Sequence, residues 1–420
     1  MPQNPKESLK NEIFETVETL KNAGKDRLST CIEQNWSKTI LTYSKKLNTW
    51  KPAREIEPEL LSAFNKELAR LEIKSGVRIK ILDNIKKKRI LQTAPHLGVT
   101  ESPRMFCINW LGSLAVMEKD FYIVGMFSGI PFSNRSRPGR INSKKDPRNL
   151  FPSNLQDGLV YRSVIPEKLI ESINSLPNSM KIFMSKMPFD IGSSYTKWAL
   201  QTCQNIERKV LKKKNLVYLD INEVVTNYLI QVLEKKDHIF YKIFFDFKTR
   251  AEFMKAFPNE IMFYSPFQDG KYEQMENITF SGNKLKGKHK KINLDNSIEL
   301  IKELEDGRLC PALITGFLAL AFLNEFKCLG SFAQVEYLPV YQKKLANLKF
   351  LKDYNILKTP TANLTTGVFP FNTELYPIDI IMGGKFTPNK NTSFGELLMP
   401  MKHILLESYF TGSERKNDKK

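Results

Sequence analysis

Histidine and cysteine are scarce in this chain. The four histidines, His96, His238, His289 and His403, lie far apart, with no cysteine or second histidine at metal-ligand spacing, so no zinc centre is expected. Five cysteines, Cys31, Cys107, Cys203, Cys310 and Cys328, form no C-x-x-C pair. That speaks against a disulfide framework and for a reducing, cytoplasmic setting. Long apolar runs are missing too: the longest, Cys310–Leu323, has 14 residues and contains Pro311 and Gly316, too short to span a bilayer. The N-terminal stretch is polar and has no apolar signal-peptide core, so a soluble protein is expected. Also absent are GxGxxG, GxxxxGK[ST], GxSxG, HExxH and an EF-hand loop. The common signatures of nucleotide, hydrolase and metalloprotease chemistry are thus not available to identify a reaction.

Positive charge is plentiful. Lys and Arg number 64 against 45 Asp and Glu, giving a net charge of +19, which favours anionic partners. The excess is mostly lysine, and a solvated lysine surface is the simplest account of it. A nucleic-acid-binding face is the competing account, although aromatic residues are not interleaved with the basic runs as stacking platforms would be. A length of 420 residues fits one large α/β domain with additions, or two domains.

The most informative stretch is Arg89–Arg140. Two short apolar segments, Ile90–Gln92 and Phe121–Phe127, each run into a polar loop, and an amphipathic segment, Arg104–Glu118, separates them. This pattern predicts a βαβ unit whose two loops leave the carboxyl ends of parallel strands, the end at which α/β sheets bind ligands. Upstream, residues 1–89 show helical periodicity and predict two to four helices packed on the core, ending in a solvated basic run, Lys86–Arg89. Downstream, 141–165 is rich in Pro, Asn and Ser and reads as a lid-like loop; 166–236 reads as helical; and 238–247 is open between strand and helix. Residues 260–291 predict a small β insertion with turns at Asp269-Gly270 and Gly282-Asn283. Cys310–Leu323 predicts a fully buried helix, and Ser413–Lys420 a disordered tail after a core spanning 90–412.

The first loop offers Thr93, His96 and Glu101 beside a helix N-terminus, a setting suited to a phosphate or carboxylate. Glu101 is equally readable as a helix cap. The second offers Ser128, Asn134, Arg135, Arg137 and Arg140, whose guanidinium groups can grip an anion bidentately. His96 is the candidate general base, with a merely hydrogen-bonded histidine as the alternative. Far downstream, Gly330 and Ser331 open a helix on which Gln334 and Tyr337 share a face while Glu336 points away.

Two of these segments together resemble a family. Ile90-Leu91-Gln92-Thr93-Ala94-Pro95-His96 is similar in placement to the strand ending in Thr-Gly-(His/Gln)-Gln of the bacillithiol synthases, with Thr93 matching and Ala94, Pro95 and His96 departing. Gly330-Ser331-Phe332-Ala333-Gln334-Val335-Glu336-Tyr337 is similar to their Gly-Gly-Pro-Gly-Glu-Ile-x-Tyr stretch, with Gly330 and Tyr337 matching. The resemblance implies a Rossmann-like, mostly parallel sheet flanked by helices in which the two loops meet across a ligand. It also implies a biosynthetic, ligase-like enzyme that joins an amine or thiol compound to an acidic metabolite. On that reading Thr93 and His96 contact the reacting group, the arginines hold an anionic small-molecule substrate, and a nucleotide is the cofactor class to consider. A basic nucleic-acid-binding protein and a non-catalytic scaffold of the same fold remain the alternatives. Oligomeric state is left open.

Overall fold

The computed structural model describes residues 5–365, 375–403 and 405–406. The apolar cluster at 366–372 and the tail at 413–420 lie outside the described residues.

Five helices, rather than two to four, precede the first strand: α1 (Pro5–Asn22), α2 (Asp26–Glu33), α3 (Ile40–Leu47), α4 (Pro58–Arg70) and α5 (Ser75–Lys88). Their apolar stripes, such as Leu60, Phe64 and Leu68 on α4, are buried against the core. The basic end of α5 is only partly solvated. Lys86, Lys87 and Lys88 are exposed, but Arg89 is 1% exposed, sits in the left-handed region at φ 45°, and donates to the carbonyl oxygens of Asn324 (3.0 Å) and Arg54 (2.5 Å). A buried guanidinium needs such partners, so Arg89 clamps the helical segment to the core.

The fold is α/β. After β1 (Ile90–Gln92) come α6 (Pro103–Ser113) and β2 (Tyr122–Met126), the βαβ unit read from the sequence. The segment 141–165 carries the short pair β3 (Arg140–Ile141) and β4 (Arg148–Asn149) and buries Leu150, Phe151, Leu159 and Val160. It is stitched to the loop after β2 by Phe132 N–H to Gly158 O (3.0 Å) and Val160 N–H to Ile130 O (2.9 Å), and so forms a packed wall. Helices α7 (Glu167–Asn174), α8 (Asn178–Met184) and α9 (Tyr195–Leu211) follow. A strand, β5 (Leu216–Asp220), interrupts the region read as helical and leads directly into α10 (Ile221–Val232). Residues 238–247 resolve to helix, as α11 (Ile239–Phe245), followed by α12 (Phe247–Ala256).

The β insertion is an antiparallel meander, β6 (Ile261–Asp269), β7 (Tyr272–Phe280), β8 (Lys284–Lys286) and β9 (Lys291–Asn293), with Gly270 and Gly282 at φ 60° in its turns. After α13 (Ser297–Glu305), β10 (Cys310–Pro311) pairs with β6. The apolar run then forms α14 (Leu313–Phe317) and a π-helical turn, Leu318–Leu323, buried throughout the latter. Next come β11 (Lys327–Leu329), α15 (Phe332–Ala346), α16 (Pro377–Ile381) and α17 (Phe394–Leu398).

The central sheet is parallel, in the order β11-β1-β2-β5. Strands β1, β2 and β5 step outward in one direction, whereas β11 returns to the other side of β1. The strand order therefore reverses at the β11–β1 pair, and the crevice beyond its carboxyl ends is where sheets of this class take ligands. No helix among the described residues is long and apolar enough to cross a membrane.

α6 is buried nearly all round because α3 covers it: Asn48 Nδ2 donates to Gly112 O at 2.7 Å. A Cβ at Gly112 would collide with the Tyr122 hydroxyl, whereas one at Gly76, in the first turn of α5, would meet nothing within 4 Å. Gly112→Ala is expected to destabilise the fold by about 1–3 kcal/mol through overpacking, and Gly76→Ala to leave stability equal or slightly higher; urea titration of both variants checks this.

Candidate functional site

Parallel pairing of β1 with β11 sets Thr93 beside Gly330. Thr93 N–H donates to Leu329 O at 2.8 Å, and its hydroxyl lies 3.1 Å from both Leu329 O and Gln334 Oε1. Gln334 Nε2 in turn donates to Cys328 O at 3.2 Å. Both side chains are 3% exposed. With its only proton directed at these acceptors, Thr93 holds the two loops together rather than offering a group to a reacting centre. Gly330 is required by the same contact, because a Cβ there would collide with the Gln334 side chain.

Beyond Thr93 the loop runs alongside the end of β2, through Phe127 N–H to Pro95 O (3.1 Å) and Leu97 N–H to Phe127 O (2.8 Å). This fixes the backbone of His96. Its Nδ1 lies 3.2 Å from Asn134 Oδ1, which also accepts from Ser136 N–H (3.0 Å) and Ser136 Oγ (2.9 Å) in an Asx turn. An amide oxygen can only accept, so the Asn134 contact assigns the proton of a neutral ring to Nδ1 and leaves the lone pair on Nε2. Burial lowers the His96 pKa below its usual 6.5, against the opposing effect of the Asn134 bond. The imidazole is thus neutral at pH 7, as a general base must be.

The same turn carries the arginines. Arg137 N–H donates to Asn134 O at 2.7 Å, and Arg137 takes the left-handed conformation at φ 53°. Arg135 and Arg137 are exposed, and Arg140 is partly buried with its Nε shielded from solvent and without a partner among the described residues. A desolvated guanidinium N–H with no acceptor is costly, and an anion would satisfy it. Reciprocal bonds between Thr100 and Asn142, including Asn142 N–H to Thr100 Oγ1 at 2.7 Å, tie the first loop to the strand after the second.

Ser128 and Glu101 are directed elsewhere. Ser128 Oγ donates to Asp220 Oδ1 at 2.8 Å, and the backbone N–H groups of Ser128 and Gly129 donate to Asn222 Oδ1 at 2.8 and 3.1 Å. Ser128 is fully buried, so it pins the loop instead of binding an anion. Its partner Asp220, at the end of β5, was not singled out from the sequence. Asp220 belongs to a buried network in which its N–H donates to Glu67 Oε1 (2.9 Å), Arg70 pairs with Glu67 (2.7 Å) and Arg162 with Glu223 (2.7 Å). Burial, then the charges of Glu67 and Glu223, push the Asp220 carboxyl up to about 8. Glu101 neither caps α6, a role taken by Ser102 Oγ accepting from Met105 N–H at 3.3 Å, nor faces the arginines. Its 4%-exposed carboxyl lies against Glu207, and burial followed by Glu207 drives its pKa well above the carboxylate range. The carboxyl is thus engaged in a buried pair with Glu207 and shut off from solvent.

The far wall is aromatic. Tyr337, in the second turn of α15, lies with its ring centroid 6.0 Å from Phe317 and 5.8 Å from Tyr341, and Phe317 is 6.0 Å from Phe127. Ser331 makes no side-chain cap at the start of α15. Glu336 points away, accepting from Leu28 N–H at 2.9 Å. The structure therefore brings together Thr93 with Gln334 and His96 with Asn134 and the arginine turn. It separates Ser128 and Glu101 from them. No group of three or more His, Cys, Asp or Glu side chains suited to holding a metal ion occurs among the described residues.

Against protein-family models, curated proteins and solved structures, the chain finds no match. Its function is to be argued from this geometry.

Asp220 gives a pH signature. Its folded pKa is raised from 3.8 to about 8, so its contribution to stability is fully present below about pH 4 and is lost as pH rises through 8. Urea titrations of the wild type and Asp220→Asn across that window should show a fall in stability with pH that the variant lacks in part, the rest arising from Glu207, likewise pushed up to about 8 by burial, and from Glu101, which burial also raises. Separately, the NMR titration of the His96 ring, assigned by its loss in His96→Gln, should have a midpoint below 6.5, and Asn134→Asp should move it upward by placing a carboxylate on Nδ1.

Proposed function

We propose that this protein is a biosynthetic, ligase-like enzyme that joins an amine or thiol compound to an acidic metabolite in the crevice at the carboxyl ends of β1 and β11. The observation that carries this reading is the His96–Asn134 pair: Nδ1 is held at 3.2 Å by Asn134 Oδ1, leaving a neutral Nε2 to take the proton that an amine or thiol loses as it attacks a carboxyl carbon of the metabolite. The new C–N or C–S bond replaces a C–O bond whose oxygen leaves as phosphate once a nucleoside triphosphate has phosphorylated it. The substrate's anionic group goes to the Arg135–Arg140 turn, where Arg140 Nε lacks an acceptor. The placement of Thr93 and Gly330–Tyr337 resembles that of the bacillithiol synthases, which supports amine or thiol addition as the reaction class. A nucleotide phosphate is the natural further ligand for the uncapped first turn of α15. All five cysteines are buried and unpaired, as a reducing, cytoplasmic setting leaves them.

The test begins with mass spectrometry of small molecules released from the purified protein. An acidic metabolite or nucleotide is expected with the wild type and with His96→Gln, and its loss is expected with Arg135, Arg137 and Arg140 all changed to Ala. Offered that compound with amines, thiols and a nucleoside triphosphate, His96→Gln should turn over about 100-fold to 10,000-fold more slowly than the wild type, the usual contribution of a positioned base. Full turnover by His96→Gln would refute the assignment of the base. Salt-sensitive binding of nucleic acid that follows the surface lysines and ignores these variants would favour the nucleic-acid reading instead.

A further inference from the structure

The opposite end of the sheet holds a second, preformed cavity. The amino ends of β1 and β2 open on a cleft of about 360 Å³, within the size range of small-molecule sites. Helices α3, α5 and α6 all end here, so their carbonyl-bearing C-termini converge and favour positive charge. That need is met from within. Lys327 Nζ donates to the carbonyls of Lys46 (2.9 Å) and Thr49 (3.1 Å), and Lys213 Nζ to those of Ser113 (2.8 Å) and Val116 (3.4 Å).

Amides of the wall are tied to the backbone as well. Asn84 exchanges two hydrogen bonds with the Phe121 backbone at 3.0 and 3.2 Å, and Asn48 donates to Ser44 O and Gly112 O at 2.9 and 2.7 Å. These bonds hold both side chains in place at the cavity wall. Charge that the fold does not use remains at its rim. Lys88 is 3.5 Å from Asp120, with side chains 48% and 24% exposed, a pair of little energetic weight, and Lys45 stands exposed on the last turn of α3. Two lysines against one aspartate leave the rim cationic. Ile90, Val116 and Phe121 supply the apolar part of a lining that is polar elsewhere, and Met117 stands 54% exposed among the lining residues.

We propose that this cleft binds a small amphipathic anion, an organic carboxylate or phosphate monoester whose charged group is taken by Lys45 and Lys88 and whose apolar body lies on Ile90, Val116 and Phe121. The site is separate from the carboxyl-end crevice: it shares none of the residues assigned there and does not depend on the reaction proposed for it.

Isothermal titration of the full chain with octanoate tests this, with octanamide as the uncharged probe. Octanoate should bind with one-to-one stoichiometry, and both octanamide on the wild type and octanoate on Lys45→Met/Lys88→Met should bind about tenfold more weakly, as expected for the loss of two exposed ion pairs. Val116→Trp, which fills the apolar part of the lining, should abolish binding, with circular dichroism confirming that each variant is folded. The charge variant stands alone if Val116→Trp does not fold. Binding must persist in the triple arginine-to-alanine variant of residues 135, 137 and 140. Absence of binding to the wild type, equal affinity for octanamide, no weakening in the lysine variant, or loss of binding in the triple arginine variant would each overturn the proposal.

Discussion

One backbone pairing joins the two distant halves of the candidate site. β1 is three residues long, and its parallel ladder with β11 brings Thr93 and Gly330, far apart in the chain, to adjacent strand ends. Lys327 N–H to Arg89 O at 2.8 Å starts the ladder and Thr93 N–H to Leu329 O at 2.8 Å finishes it. A parallel pair between distant segments carries a large loop-closure cost, so side chains lock both ends. Arg89 clamps the amino end through Asn324 and Arg54, and Thr93 with Gln334 clamps the carboxyl end. The N-terminal helices use the same region: Glu57 N–H bonds Asn324 Oδ1 at 2.8 Å, and Ala53 N–H bonds Glu325 Oε2 at 2.5 Å. The helical segment, the return strand and the site are therefore one construction.

Charge is distributed in an unusual way around that construction. The chain is strongly basic overall, yet its interior collects carboxyl groups: Glu67, Asp220 and Glu223 beyond β5, and Glu101 with Glu207 between α6 and α9. Burial raises the pKa of Asp220, Glu101 and Glu207, which keeps protons on them and lets Asp220 anchor Ser128 without a full buried negative charge. The loop that positions Asn134, and with it His96, begins at that anchor. The acidic interior thus fixes the loop that carries Asn134 and orients His96, while the excess positive charge stays on the surface.

Much of the site was legible because its signal is local. Ile90–Gln92 and Tyr122–Met126 are short apolar runs ending in polar, proline-marked loops, and that pattern alone located both loops and the helix between them. The Gly330–Tyr337 stretch was legible for the same reason, through a glycine and serine followed by helical spacing. β5 was not. The run Leu216–Asp220 follows charged helical sequence and leads straight into the apolar helix α10, and four apolar residues inside a long helical period carry no strand signature of their own. With β5 hidden, Asp220 could not be seen as the residue that holds Ser128. The helix at Ile239–Phe245 was undecided because a short apolar run buries equally well in either form. Arg89 was read within a solvated basic run because a charged side chain beside a strand looks solvated until the elements that cover it are placed, and Glu101 was readable as a cap because its pairing with Glu207 lies outside any local pattern.

The sequence by itself determined the local elements, the βαβ unit, the β insertion with its glycine turns, and the residue types gathered on each loop. These follow from periodicity and backbone preference, which act over a few residues. The tertiary structure alone decided that β11 returns beside β1, that Asn134 orients His96, that Ser128 and Thr93 are bound internally, and that Asp220 and Glu101 are buried. Each of these depends on which distant groups share a desolvated space, and hydrogen bonding and pKa in that space are set by neighbours that no local pattern specifies.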